Sequence, residues 1–265
     1  RPPVELYTAI PLTSSDGVDA SYRWASGDLS HVTQLFYGHA DRAIQPQVRA
    51  KAQAMTGLSH TTTSGPLTLR LSAMNTRVSA NLAAELFAAL RQSGPAGAAL
   101  VQRYAINDAR TSAVALRISY DSCEWFVNAE VASLISHSLL GHRSAGYLSG
   151  GLRYGDWTPY LAYAAARAHS VTSTSGPELT GRDALSRAAG LRMNAGLNYL
   201  LSSVPHQHSV TAGLRWDLAS NGAVKLQYER LMPVSDSRGT LVNTQPGFRS
   251  GHAIGVLSVA VDFVF

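Results

Sequence analysis

The alternation of apolar and polar residues at the end of the chain is the feature that most restricts its fold. Large apolar side chains occupy every second position, and small or acidic residues separate them. Because successive side chains of a β-strand point to opposite faces, this period of two predicts a strand with one apolar face. The apolar positions are Leu257, Val259, Val261, Phe263 and Phe265.

The same alternation recurs along the chain in pairs of segments. Residues 209–217 and 224–229 alternate in this way, and Asn221-Gly222 between them is typical of a tight hairpin turn. Counted throughout, the pattern predicts about eleven strands of roughly nine to thirteen residues, the length that a tilted membrane strand needs. Further hairpins are predicted within residues 17–40, 50–75, 114–131 and 143–168.

The connections between the predicted strands differ in length in a regular way. Short turns alternate with mostly long segments at 41–49, 76–111, 135–142, 169–205 and 232–252. In an antiparallel meander the long segments all leave from one end, as they do in outer-membrane barrels. Two of them have Ala and Leu at helical spacing, which predicts loop helices at 81–90 and 182–201.

The composition fits a surface that meets lipid more than water. Charged residues make up 15% of the chain and hydrophobic residues 45%, whereas a soluble domain has about 25% charged residues. No run approaches the roughly 18 consecutive apolar residues of a spanning helix. A closed barrel is the other way to satisfy backbone groups in lipid. We therefore predict an all-β fold, a transmembrane antiparallel β-barrel with short helices in long extracellular loops.

Nucleic acid, metal and cofactor sites are not predicted. The net charge is +5, but the basic residues are spread singly and form no cluster that would bind nucleic acid. His206 and His208 share a strand face, yet two ligands without a third are a weak metal signal. The single cysteine, Cys123, excludes an internal disulfide.

Catalysis is not predicted either. Ser and His are neighbours at 30–31, 59–60 and 136–137. Adjacent residues of a strand point to opposite faces, so such a dipeptide cannot form a hydrogen-bonded nucleophile and base. An outer-membrane barrel enzyme, with lipase or protease activity, and a soluble β-sandwich that binds a partner are the alternatives to a passive pore.

Several tracts of the chain resemble a known family. They are residues 1–7 (RPPVELY), 13–22 (TSSDGVDASY), 213–217 (GLRWD), 225–228 (KLQY), 240–248 (TLVNTQPGF) and 261–265 (VDFVF). These tracts are similar to Gram-negative outer-membrane porins of about 400 residues. The resemblance covers most of residues 1–265, which we interpret as a single porin-type barrel domain.

The resemblance implies a sixteen-stranded barrel of which this chain holds the last eleven strands, so that the signal peptide and first strands are missing. Residues 1–16 then correspond to the loop that narrows the pore, with Glu5 and Asp16 as its acidic residues. Phe263 and Phe265 would form the C-terminal signal for the barrel-assembly machinery. The resemblance also implies outer-membrane lipid and lipopolysaccharide as surroundings, and assembly into homotrimers.

The polar face of the predicted strands supplies candidate pore-lining residues. Charges that face lipid cost roughly 2 to 4 kcal/mol for Arg or Lys at the midplane, so a water-filled interior is where they belong. Basic residues on the wall, opposite Glu5 and Asp16, would set a transverse field that orients solutes. The predicted wall consists of Asp19, Arg23, Arg49, Lys51, Arg70, Arg117, Glu130, Arg153, Arg215, Asp217, Lys225, Glu229 and Asp262.

Overall fold

The computed structural model describes residues 3–7, 15–176, 183–234, 237–242, 244–245 and 247–264, and only the backbone of Gln45. Eleven strands in this part of the chain form one antiparallel sheet, and their order in the sheet is their order in the chain. The strands are β1 (Asp16–Ser26), β2 (Leu29–Gln45), β3 (Val48–Ser64), β4 (Leu67–Ala80), β5 (Ala109–Asp121), β6 (Trp125–Ser136), β7 (His142–Leu152), β8 (Trp157–Ala168), β9 (Gln207–Ala219), β10 (Gly222–Pro233) and β11 (Ile254–Phe263).

The predicted alternation of connection lengths is confirmed, with one exception. At one end of the sheet, here called the short-turn end, the strands meet across residues 27–28, 65–66, 122–124, 153–156 and 220–221. Longer connections leave from the other end, the loop end, at 81–108, 137–141, 169–206 and 234–253. The exception is 41–49, which was predicted to be a loop. There β2 and β3 extend to seventeen residues each and meet at a two-residue turn.

The strand register keeps large apolar side chains on one face, here called the apolar face. Leu226 lies opposite Leu214 on one side and Val259 on the other, and Leu116 lies between Leu71 and Val131. The opposite side is the polar face. Many apolar-face residues are exposed, among them Leu257 at 69%, which a surface surrounded by water would not favour.

Four helices lie outside the strands: α1 (Val4–Tyr7), α2 (Ala84–Gln92), α3 (Pro95–Tyr104) and α4 (Ala184–Leu201). α2 and α4 confirm the predicted loop helices, although residue 182 lies outside the described residues. α3 was not predicted; it begins with Pro95 at its first turn, a position where proline favours a helix. None of the described helices is long and apolar enough to cross a membrane.

The loop helices share a small hydrophobic core. Leu90 of α2 and Leu197 and Leu201 of α4 are buried almost completely. They pack with Val78 and Ala109, which lie on the polar face at the loop end of β4 and β5. The loop helices therefore cover the loop end of the polar face.

β1 and β11 are the edges of this sheet, and the sheet is not closed. A β-sandwich requires two sheets packed face to face, whereas all eleven described strands belong to one.

The polar face is also covered by α1, which contacts β7 and β8. The polar face is therefore the inner one.

Candidate pore wall and constriction

Ten of the thirteen residues predicted to line a pore lie on the polar face. The register assigns this side to them because each alternates with apolar-face residues of its own strand. Whether they face a water-filled channel stays a prediction. The ten are Asp19, Arg23, Arg70, Arg117, Glu130, Arg215, Asp217, Lys225, Glu229 and Asp262.

The register corrects the prediction for Arg49 and Lys51. β3 has one extra residue between Gln53 and Thr56 relative to both neighbouring strands, and Ala54 in this bulge has a φ of 48°. A bulge of one residue reverses the faces of all residues beyond it. Arg49 and Lys51 therefore lie on the apolar face at the loop end, where both form ion pairs with Asp41, at 2.9 and 3.6 Å.

Two further predictions are corrected. Asp16 was predicted in the constriction loop, but it is the first residue of β1 and lies opposite His39, on the same face as Val18. Arg153 was predicted on the wall, but it lies in the turn after β7. Its guanidinium forms an ion pair of 2.7 Å with Asp121, and this hydrogen bond raises the pKa of Arg153 above its ordinary value.

Arg70, Arg117 and Glu130 form a continuous row across the middle of the polar face. Arg70 lies directly opposite Arg117, and Arg117 lies directly opposite Glu130. Like charges in direct cross-strand register repel, and the adjacent carboxylate offsets this. The row thus has a net positive charge within the described residues.

A second charged group lies nearer the short-turn end of β9 to β11. Arg215 donates to Asp217 at 2.7 Å, and Lys225 forms an ion pair with Asp262 at 2.9 Å. All four residues are partly exposed, so the pairs contribute little to stability. This group is balanced in charge, unlike the central row.

α1 is packed against the polar face, far from the strand that follows it in the chain. Leu6 is 7% exposed and packs against Tyr147 of β7 and Ala164 of β8. β8 is seven strands away from β1 in the sheet. α1 therefore lies against the polar face, the side on which an inward-folded constriction segment was predicted. Residues 1–2 and 8–14 of that segment lie outside the described residues.

Glu5 of α1 is almost completely buried, with 2% exposure. Its Oε1 accepts a hydrogen bond of 2.8 Å from Nε2 of Gln207, the first residue of β9. The same Gln207 uses its Oε1 to accept from the backbone N–H of Thr240, also at 2.8 Å. Sequence reasoning did not single out Gln207, because an isolated glutamine at a strand end carries no pattern. It joins α1 to the β10–β11 connection.

Tyr160, Gly213 and Gln227 form a contact across three strands of the polar face. The phenol of Tyr160 donates to Oε1 of Gln227 at 2.9 Å, and Gly213 lies between them on β9. A Cβ on Gly213 would collide with the Tyr160 ring. The glycine is therefore required for the ring to lie flat across the wall.

Aromatic rings collect on the apolar face towards the short-turn end. Trp157 stacks on Trp216 at 4.9 Å between ring centroids, and Tyr120 on Trp125 at 4.6 Å. This arrangement agrees with the interfacial aromatic girdle of membrane barrels.

One serine and histidine pair is close enough for proton transfer. Ser144 Oγ lies 2.8 Å from Nε2 of His169, on neighbouring strand ends. The adjacent Ser-His dipeptides of the sequence do not include this pair, whose members are 25 residues apart. Among the described residues, no carboxylate hydrogen-bonds to His169, and no group of three His, Cys, Asp or Glu side chains could hold a metal.

No family model and no curated protein matches the sequence. Among solved structures, the porin OmpF of Salmonella typhi, in complex with daunomycin, is similar with a TM-score of 0.54. The match has 11% sequence identity and covers 92% of this chain and 61% of the OmpF chain. The chain has a porin-like barrel fold. It spans about three fifths of the OmpF chain, and its sheet is open between β1 and β11.

A FadL homologue from Pseudomonas aeruginosa is also similar, at 12% identity over 92% of this chain and 65% of that one. Its TM-score is 0.34. The OmpF similarity concerns the fold alone, since the sequence identity is so low.

Proposed function

We propose that this porin-like chain belongs to an outer-membrane porin, a water-filled channel for passive diffusion of small polar or charged solutes. The observation that carries the proposal is the separation of an apolar and a polar face in the part of the sheet away from the loop end. Away from the loop end, the register places no Asp, Glu, Lys or Arg on the apolar face of the described strands, whereas ten charged residues lie on the polar face. A barrel with an apolar outer face and a polar inner face is stable in lipid and has a water-filled interior.

The packing of α1 supports a narrowed channel. α1 lies on the polar face of the sheet and is held there by Leu6 and Glu5. The central row of Arg70, Arg117 and Glu130 lies on the same inner surface. A solute that passes α1 would then pass a wall of net positive charge, which favours anions.

The proposal includes a location and partners. The apolar face would contact lipid of a Gram-negative outer membrane, with the loop end outside the cell. The barrel-assembly machinery would recognise the C-terminal strand, which ends at Phe263. Phe265, the other residue predicted to form this recognition signal, lies outside the described residues. Three copies would associate as homotrimers. No cofactor, metal or nucleic acid takes part.

Planar-bilayer conductance of the full-length protein tests the channel. We expect discrete, ohmic openings whose conductance falls when large neutral solutes are added. A preparation that folds, as heat-modifiable migration in detergent gels shows, and yet gives no conductance would contradict the proposal.

The alternative of a barrel enzyme rests on the pair of Ser144 and His169. A serine hydrolase needs a third group that orients the histidine, and no described carboxylate does so. We therefore propose no catalysis. The Ser144→Ala variant should leave any lipid hydrolysis by the preparation unchanged, and loss of hydrolysis in this variant alone would favour the enzyme.

A further inference from the structure

One row of cross-strand partners on the polar face contains three arginines. The row begins with Arg23 of β1 and passes through Val32 and Thr61 to Arg70 and Arg117. Arg70 and Arg117 lie directly opposite each other, so their Cβ atoms are about 5 Å apart. Both side chains are exposed. The register therefore brings two guanidinium groups within reach of one bound ion.

Acidic residues are scarce around this arginine pair. β3 and β4 contain no Asp or Glu, and β5 contains only Asp121, its last residue, which is paired with Arg153. Neither Arg70 nor Arg117 forms an ion pair with an acid in the described part of the chain. Two opposed guanidinium groups without a carboxylate between them repel each other. An anion that binds between them would relieve this repulsion.

Hydroxyl groups lie beside the arginine pair on the same face. The guanidinium of Arg70 donates to Oγ of Ser59 on β3 at 3.3 Å, so it leans away from Arg117 on β5. Thr61 lies directly opposite Arg70, and Ser72 lies opposite Ser59. All three hydroxyl side chains are partly exposed. The surroundings of the pair therefore offer neutral O–H donors to the oxygen atoms of an anion.

α1 packs against the same row of cross-strand partners. Beyond Arg117 the row continues through Glu130 and Tyr147 to Ala164. Leu6 of α1 packs on Tyr147 and Ala164. The arginine pair therefore lies beside the segment that would narrow the channel, where a passing solute comes nearest to the wall.

We propose that Arg70 and Arg117 form a binding site for the phosphate group of small solutes, both inorganic phosphate and phosphomonoesters. A guanidinium group binds an oxyanion through two parallel N–H···O bonds, and two such groups in direct register match an anion with several oxygens. From Arg23 to Glu130, three arginines and one glutamate give the row a net charge of +2. This charge is opposite to that of a phosphate dianion.

The inference rests on the proposed function, because it takes the polar face as the wall of a water-filled channel. It adds the class of solute to that function. A site made of exposed side chains binds weakly, and weak binding lets a solute enter and then leave the channel.

Calorimetric titration of the full-length protein in neutral detergent with inorganic phosphate measures binding without any current. Arg117→Gln should weaken phosphate binding about tenfold, the effect of one charge-assisted contact. Arg215→Gln is the matched control, because Arg215 lies on the same face but donates to Asp217. It should change the affinity less than about twofold. Equal affinities of the Arg117→Gln and Arg215→Gln variants would overturn the site.

A lysine at the same position separates the geometry of the contact from its charge. Arg117→Lys keeps the positive charge but lacks the planar fork, so phosphate affinity should fall about threefold. Parent-like affinity of this variant would overturn the paired hydrogen bonds. Nitrate, an oxyanion with a single charge, should bind at least about tenfold more weakly than phosphate. Equal binding of nitrate and phosphate would overturn the preference for a doubly charged ligand.

The class of solute is tested with glycerol phosphate. It should bind within about threefold of inorganic phosphate, because an ester leaves three phosphate oxygens free. Absence of glycerol phosphate binding would overturn phosphomonoesters as solutes.

The current through a planar bilayer places the site in the channel. Phosphate added to the full-length protein in KCl should reduce the chloride current saturably, with half-maximal block at the calorimetric dissociation constant. Phosphate binding to a conducting channel without block would put the site outside the channel and overturn the assignment. A channel that conducts without binding phosphate refutes only this inference, and a protein that binds phosphate without conducting refutes only the channel.

Discussion

Gln207 and Glu5 are 202 residues apart in the chain and are joined by a hydrogen bond of 2.8 Å on the inner face of the sheet. A buried carboxylate is costly without such partners. Gln207 uses its other amide atom for Thr240, so one side chain fixes two segments that leave the strands and turn inward. The position of α1 therefore depends on a contact that exists only in the folded sheet.

Removal of the Leu6 side chain should release α1 and widen the channel. Leu6→Ala loses the packing on Tyr147 and Ala164, which for a buried leucine costs about 2 to 5 kcal/mol. We expect a larger single-channel conductance in full-length protein. Val4→Ala, on the same helix at a residue that is 38% exposed, is the control. Equal conductance of Leu6→Ala and the control would show that α1 does not narrow the pore.

Arg70 should contribute to anion preference, whereas Arg49 should not. Arg70→Gln removes a charge from the central row of the polar face, and the reversal potential in a KCl gradient should shift towards cations. Arg49→Gln removes the same charge from the opposite face, beyond the bulge at Ala54. The same shift in both variants would contradict the assignment of faces.

Gly213 should be intolerant of a side chain. Gly213→Ala forces the Tyr160 ring away from the wall and should destabilise the barrel by about 1 to 3 kcal/mol, measured by urea unfolding in detergent. Gly222→Ala is the matched control, because nothing lies within 4 Å of an added Cβ there. Tyr160→Phe should cost about 1 kcal/mol, since only the hydrogen bond to Gln227 is lost. Wild-type stability of Gly213→Ala would refute the contact.

A charged substitution on β11 should prevent membrane assembly when it lies on the apolar face and should be tolerated on the polar face. Val259→Arg puts a guanidinium on the apolar face and should cost roughly 2 to 4 kcal/mol in a membrane, whereas Ala260→Arg puts it on the polar face. We expect failed membrane assembly only for the former, measured as loss of the heat-modifiable band. Spin labels at 259 and 260 should report lipid and water respectively. The reverse result would contradict the whole interpretation.

The sequence by itself determined the strands, their number and the sorting of short and long connections. A period of two is local, because a strand's side-chain directions depend only on its own backbone. This is why residues 209–217 and 224–229 were predicted correctly as a hairpin, which the structure confirms as β9 and β10. For the same reason, ten of the thirteen residues predicted to line a pore lie on the polar face, as the alternation predicted.

Only the tertiary structure decided which face the residues beyond a β-bulge occupy and which residues contact each other across the sheet. The single extra residue near Ala54 reverses the faces of Arg49 and Lys51, and no sequence pattern indicates it. The contacts of Glu5 with Gln207 and of Ser144 with His169 join residues from distant parts of the chain. Alternation fixes the face of each side chain, but cross-strand register and the curvature of the sheet decide which side chains meet.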